Sequence, residues 1–470
     1  MSNKSDYDVI IIGAGISGLV CGCYLAKEGL KALIVEKNAK PGGYCTSFSR
    51  KGFHFDTFVH SLGSCRKDGN VARVLRELDI DKKIILQKVN PSDTIITPDY
   101  RVSFYSGLNK TICNFQQNFP KESSNIESFF RDVVNLQGAD LVKLKNNSFD
   151  YFLKKYFNDK KLQAILSFPI LGNNGLSASL ISAFSGCKLY KEFMLDGGYV
   201  VKGGMQVLSD MLAARFESFG GVLVLTNYVK KINVNFNKAE GVTLNNKDFI
   251  SSRYVVSSID AMKTFFKFLG KEHVQRNFLK RLSNMVPSLS MFMVYLGFNK
   301  DLPILPQKGT NTWYLPSYDV NKLYKAAISR NKNNVSEFMI HSFSKRNISI
   351  FMNAHFGGKK YWDYCKNKVA DRLINKVEKL VPNLSKHIIY KNVITPYALY
   401  RVTANYRGAA YGWAGLPSQL AEPGLAQRTC IDNLYLTGHW TSLGQGVGGV
   451  TYLGRDTANL IIKNTKNKKK

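Results

Sequence analysis

Gly13, Gly15 and Gly18 stand in the spacing G-x-G-x-x-G, and an acid, Glu36, follows roughly twenty residues later. That combination predicts a dinucleotide site. The first glycine allows a tight turn, the second lets a pyrophosphate approach bare backbone, and the third lets a helix pack closely on a strand. Ile16 and Ser17 lie where the helix would begin, so their unpaired N–H groups and the partial positive charge of the helix end face the phosphates. Glu36 is placed to accept hydrogen bonds from an adenosine ribose, and an acid there disfavours a 2′-phosphate, leaving FAD or NAD ahead of NADP.

These residues need a βαβ unit to hold them, and the flanking sequence supplies one. Residues 9–12 and 32–35 are apolar, β-branched runs, and between them a helical pattern reaches Glu28. Pro41, Gly42 and Gly43 add a second close-approach turn, followed by GFHFDTFVHSLG at 52–63. A matching arrangement stands at the other end of the chain. Residues 433–437 read as a strand ending in Gly438, then come His439, Trp440, Thr441 and the loop SLGQGVGG, and a final helix is predicted over 450–462. Glycines this dense before a helix let backbone approach a planar ring or a phosphate, and the helix N-terminus favours negative charge on a reduced flavin.

Other chemistries find little support. There is no GxSxG elbow, no HExxH, and no Cys or His spacing for a metal. No second βαβ unit with its own GxGxxG turn is predicted for a nicotinamide domain. No acid pair identifies a catalytic base. His60, Tyr411 and Trp413 are the candidates for groups lining a flavin face.

The run from the first glycine loop through GG and FDT is similar to the flavoprotein superfamily of phytoene desaturases, carotenoid isomerases and retinol saturases, more distantly related to amine oxidases and Rab GDP-dissociation inhibitors. The similarity resumes in YVVKGGMQVLSDML, in VVSSIDAMKTF and in the last seventy residues or so. It implies noncovalent FAD, with backbone near Val229 passing the adenine and with Gly438, Gly446, Val447 and Gly449 against the isoalloxazine. Gly13, Gly15, Ile16, Ser17, Gly18, Glu36, Lys37, Gly42, Gly43 and His439 complete the expected cofactor set. The implied activity is an oxidoreductase on a long hydrophobic polyene or isoprenoid, with hydride exchange at flavin N5 in desaturation, saturation or isomerisation. Electrons would pass to or from a quinone, oxygen or a transient donor. An amine oxidase-type enzyme on a soluble substrate and a non-catalytic prenyl-lipid carrier are the alternatives. The chain departs from the pattern twice: Phe58 follows FDT where glycine is common, and His439 stands where many flavoproteins carry a carboxylate.

The remaining sequence sets the outer frame. A chain of 470 residues with 44% hydrophobic and 12% aromatic content is predicted to build two intergrown domains of α/β class. A Rossmann-like FAD-binding domain is expected over 1–75, 200–265 and 390–470, and a mixed-sheet and helical substrate domain over 76–199 and 266–389. Within the latter, residues 129–144, 149–157 and 161–166 read as helices, 172–175 as a turn, and 289–298, 337–342 and 348–354 as strands, with a long covering helix over 361–381. The aromatic helical block is either core or a lid facing a membrane. Net charge of +31 and a Lys-rich tail at 463–470 suit an anionic lipid surface; no nucleic-acid motif accompanies the charge. Eight cysteines without a paired framework, and no apparent signal peptide, lead to an expectation of a cytoplasmic protein with peripheral contact at the inner membrane face.

Overall fold

The computed structural model describes residues 5–330, 337–421, 425–441 and 444–467; the last three lysines of the basic tail and Ser442 and Leu443 of the C-terminal glycine loop lie outside the described residues. Two seven-stranded sheets dominate the fold. The first is centred on Tyr7–Ile12, whose last four residues are all buried, as a parallel strand covered on both faces must be. It pairs in parallel with Ala32–Val35 on one side and Phe249–Ser257 on the other, with Ile11 opposite both Ile34 and Val256. Leu434–Leu436 also pairs in parallel with Phe249–Ser257, so the chain's end returns beside its beginning. The helix Ile16–Lys27, buried at ten of its twelve positions, packs on this sheet between the helices Met205–Ser218 and Gly446–Asn467.

The second sheet runs Ile388–Ile394, Ser290–Phe298, Asn347–Ala354, Phe338–Ser344, Asn311–Tyr314, Asp93–Ile96 and Arg101–Phe104. Side-chain alternation divides its faces. Phe292, Val294, Leu296, Ile340 and Ile350 pack against Trp362, Val369, Leu373 and Val377 of the covering helix Gly358–Glu378. Met293, Tyr295, Trp313, Met339 and Phe351 face the other way, toward the helical block and the hairpin carrying FDT. The aromatics of that block fill a core: Phe129 meets Phe130, Phe152 and Phe157 at centroid distances of 5.2, 6.1 and 5.3 Å.

Three local expectations are corrected. The helix expected over 129–144 is two, Ser123–Asn135 and Gly138–Lys143, because Leu136 leaves helical backbone and Gly138 takes φ +51°. The turn expected at 172–175 is helical to Asn174, and Gly175 is its left-handed cap. Gly172 serves packing there, since a Cβ on it would lie 2.1 Å from the Trp313 ring. The C-terminal helix begins at Gly446 rather than 450, so Gly446, Val447, Gly448 and Gly449 form its first turn. First-turn N–H groups need no acceptor from within the helix, which is why glycines are tolerated in it.

The acid of FDT serves the fold. Asp56 is buried, and its Oδ1 accepts from the Met205 N–H at 2.7 Å and from Ser47 Oγ at 2.6 Å. Ser47 Oγ in turn accepts from the Gln206 N–H at 3.1 Å. Together they cap Met205–Ser218, whose N-cap residue, Gly204, has no side chain to do so. Asp56→Ala should lower stability by about 1–3 kcal/mol through the buried N–H it strands, read as the urea midpoint, and an unchanged midpoint would refute the capping role.

Candidate cofactor and substrate site

The two glycine-dense turns meet. Ser17 Oγ and Thr437 Oγ1 are 2.6 Å apart, a Cβ on Gly438 would lie 3.6 Å from Ser17 Cβ, and one on Gly454 would lie 2.5 Å from the Ser17 carbonyl oxygen. Between the turns lies a cavity of about 470 Å³, within the range of roughly 300–1,000 Å³ common to ligand and cofactor sites. From the N-terminal unit, Gly13, Gly15, Ile16, Ser17, Glu36, Lys37, Gly42 and Gly43 line it. Val229 joins from the middle of the chain, and Gly438, His439, Gly446 and Val447 from its end. Gly18 and Gly449 lie off this wall: Gly18 packs against the Gly13 carbonyl, and Gly449 lines a neighbouring cavity.

The donors and shape of this cavity fit FAD. A Cβ on Gly15 would meet no protein atom within 4 Å, so that backbone is open to a pyrophosphate. The helix Ile16–Lys27 has no side-chain cap at its N-terminus, leaving first-turn N–H groups for phosphate oxygens. Glu36 is 6% exposed; its Oε2 accepts from the Ala14 N–H at 2.9 Å and its Oε1 from the Asn38 N–H at 2.8 Å. Each carboxylate oxygen keeps a second lone pair for a ribose hydroxyl. Lys230, Lys263 and Lys267 add positive charge to the wall. Lys37, by contrast, spends its ammonium on the carbonyls of Arg401 and Val402 at the end of the helix Pro396–Thr403.

A second cavity of about 170 Å³ adjoins the first, sharing Phe58, Val59, Tyr411, Gly446 and Val447 with it. His60 and Trp413 line this inner space with Phe184, Leu189 and Phe193, and Ser64, Lys188 and Glu192 form a polar end. Burial pushes the Glu192 pKa up, but Arg66 at 2.9 Å and Ser64 at 2.7 Å outweigh it and hold the carboxyl below its ordinary pKa. Phe58, the residue in place of the usual glycine, packs tilted against Tyr44 with ring centroids 4.4 Å apart and borders both cavities. The three candidate flavin-face residues thus come together, with different engagements. Trp413 Nε1 donates to the Trp440 carbonyl at 3.0 Å and packs edge-on to that ring. Tyr411 lines both cavities, and burial pushes its phenol well above the ordinary range, so it stays protonated.

Sequence reasoning passed over Asp260, a buried carboxyl on the cofactor wall whose pKa burial raises to about 6. It sits just after the strand Phe249–Ser257, at the same strand end as the nucleotide loop, and that placement is a signal the sequence offered. Histidines behave oppositely. Burial lowers His60 and His439 to about 4, and His341 is driven down by burial and by His60 beside it. An unfolded histidine titrates near about 6.5, so the unfolded chain binds more protons than the folded one between about 6.5 and 4. Stability present above that window is lost as pH falls through it. Asp260 gains stability on acidification below about 6, and Asp56, Asp93 and Asp196, whose pKa values burial also raises, act in the same direction, so the histidine effect stands alone only above about pH 6. The urea midpoint of flavin-free protein should therefore fall between about pH 7.5 and about pH 6; a flat or rising profile there would contradict the lowered histidines.

The profile of the family described as flavin containing amine oxidoreductase matches residues 16–462. The all-trans-retinol 13,14-reductase of Rattus norvegicus is 24% identical over 92% of this chain and 82% of its own length. A chloroplastic prolycopene isomerase of Daucus carota is 25% identical over 97% of this chain and 80% of its own. Among solved structures, an oxidoreductase from Methanosarcina mazei superposes with a TM-score of 0.70 at 15% identity, covering 97% of this chain and 100% of that one.

Proposed function

The chain belongs to the flavin-containing amine oxidoreductase family and is an FAD-dependent oxidoreductase, and from that premise we propose that its substrate is a long hydrophobic polyene or isoprenoid of carotenoid or retinoid kind. The observation that carries this reading is the inner cavity, whose exposed surface is mainly apolar, with Phe58, Phe184, Leu189, Phe193 and Trp413 set among polar residues, and which shares Phe58 and Tyr411 with the cofactor cavity. The retinol reductase and prolycopene isomerase relatives support it. FAD, when bound, supplies hydride exchange at N5. The protein's share is to orient the chain, keep water out and manage a proton. In this reading Gly13, Gly15, Glu36, Gly438 and Gly446 hold the cofactor, and Phe58, His60 and Tyr411 shape the reacting end of the cavity. The domain division expected from sequence is supported by the membership of the two sheets.

Such a substrate comes from a membrane, and one face suits contact with it. The segments Gly138–Lys143 and Phe149–Lys154 pack against the helix Ala183–Leu189, which lines the inner cavity. They leave Val142 and Tyr151 about half exposed beside Lys143, Lys145, Lys154 and Lys155, an arrangement of apolar and basic groups that favours anionic lipid. No helix among the described residues is long and apolar enough to cross a bilayer. We place the protein in the cytoplasm, peripheral on the inner membrane face, exchanging electrons with a quinone, oxygen or a transient donor.

The test is anaerobic mixing of the holoprotein, flavin oxidised or reduced, with polyenes and retinoids in anionic liposomes, following flavin absorbance and extracted products. A changed flavin spectrum with a matching product supports the reading. Silence toward every polyene, with bleaching by soluble amines instead, would transfer the assignment to an amine oxidase-type reaction.

A further inference from the structure

A line of polar side chains crosses the second sheet on its cavity-facing side. Register places Asp93 opposite Asn311, Asn311 opposite His341, and His341 opposite Ser349. All four are buried, with exposures of 1% or less. Most neighbours on the same face, Ile95, Trp313, Met339, Phe343 and Phe351, are apolar, so this row is costly: each imperfectly paired buried polar group costs about 1–3 kcal/mol.

The hydrogen bonds within the row are directional. Asp93 Oδ1 accepts from Trp313 Nε1 at 2.8 Å and from Asn311 Nδ2 at 3.1 Å. That turns the Asn311 carbonyl oxygen toward His341, whose Nδ1 lies 2.8 Å away and therefore carries the proton. His341 Nε2 is left bare. The His60 ring packs against His341 with centroids 4.8 Å apart. His60 Nδ1 is 3.2 Å from the Phe58 carbonyl, which can only accept, so His60 likewise carries its proton on Nδ1 and keeps Nε2 bare. Two imine nitrogens thus belong to rings in contact, each ring fixed in one tautomer by a separate acceptor.

The two rings also face different spaces. His60 lines the inner cavity beside Phe58 and Tyr411. His341 lines the floor of a separate cleft of about 450 Å³ whose rim carries the exposed residues Lys51, His54, Lys308 and Arg346. The only histidine contact between that cleft, open at its rim to solvent, and the inner cavity, among the described residues, is this pair.

We propose that His60 and His341 form a proton relay, in which His60 exchanges a proton with the substrate in the inner cavity, His341 exchanges it with water in the cleft, and Asn311 and Asp93 hold His341 in the required tautomer. The relay rests on the inner cavity being the substrate's. In the oxidising direction the bond broken is a substrate C–H. Its proton goes to His60 Nε2 and its electron pair becomes the new C=C as the neighbouring carbon gives up hydride, the exchange that FAD would supply when bound. The proton then passes to His341 and out through the cleft. In the reducing direction it travels inward and ends on carbon. His60 is the catalytic residue of the pair; His341 acts through it.

The relay is tested on holoprotein labelled with ¹⁵N-histidine, as wild type and as His341→Gln, His341→Ala and Asn311→Leu. Both rings should be neutral Nδ1–H tautomers in wild type, and Asn311→Leu should release His341 into a mixture while leaving His60 unchanged. With a polyene that is turned over, His341→Gln should slow kcat about tenfold or more, within the range of acid–base contributions, at unchanged KM and flavin spectrum. Imidazole added to His341→Ala should restore rate where the similarly shaped, non-basic pyrrole does not. Wild-type kcat in His341→Gln, equal rescue by pyrrole, or an Nε2–H tautomer on either ring in wild type would overturn the relay. Should wild type turn over no polyene, the substrate reading falls and the relay that rests on it falls too; an Nε2–H tautomer on either ring, or wild-type kcat in His341→Gln, ends the relay and leaves the substrate reading standing.

Discussion

Gly15→Val is expected to yield a protein that folds as its parent does and purifies without colour. Gly15 has φ −69° and ψ 169°, an extended backbone open to any residue, and it is the N-cap of the helix Ile16–Lys27. A Cβ there meets no protein atom within 4 Å, so valine does not collide with the fold. Its methyl groups instead project into the cofactor cavity where the pyrophosphate must touch backbone. FAD affinity should fall roughly 10²-fold or more, about 3 kcal/mol, while the urea midpoint of the flavin-free protein stays within experimental scatter. Retained yellow colour with normal occupancy would show that the dinucleotide lies elsewhere.

Gly18→Ala, three residues on in the same motif, should do the reverse. In an open helix this change stabilises by about 1 kcal/mol. Here the added methyl would lie 2.2 Å from the Gly13 carbonyl oxygen and 3.1 Å from Ser258 Oγ. The oxygen belongs to backbone and cannot rotate away, so helix and strand must separate. A loss of about 3 kcal/mol or more is expected, seen as a lowered urea midpoint or failure to accumulate soluble protein. A midpoint equal to or above the parent's would mean that the close approach is not needed.

These two outcomes show how far the sequence could be read. The βαβ unit was legible because three independent patterns agree there: the glycine spacing, continuous apolar strands, and Glu36 at the second strand's tip. The strand Ala32–Val35 falls where its apolar run predicted. That both chain ends would build one cavity followed from the family resemblance, since no local pattern states that Ser17 touches Thr437. The helices Leu108–Asn118 and Val320–Ile328 and the strand Asn311–Tyr314 were missed, being short segments whose polar residues hide the period. His341 could not have been singled out. Its meaning comes from register, which brings residues 93, 311 and 341 side by side only after the sheet has formed. His60 was noticed for its place near FDT, but its partner lies far along the chain.

The pairing of Leu434–Leu436 with the strand Phe249–Ser257, and the packing of the last helix on the first, also set a timetable. A ribosome delivers residues 7–36 early, yet the wall they share with Gly438 and Gly446 emerges only about four hundred residues later. A chain lacking residues 434–467 would keep the nucleotide loop and leave the flavin without its second wall. Cofactor uptake in this molecule therefore waits on a segment far from the motif that announces it.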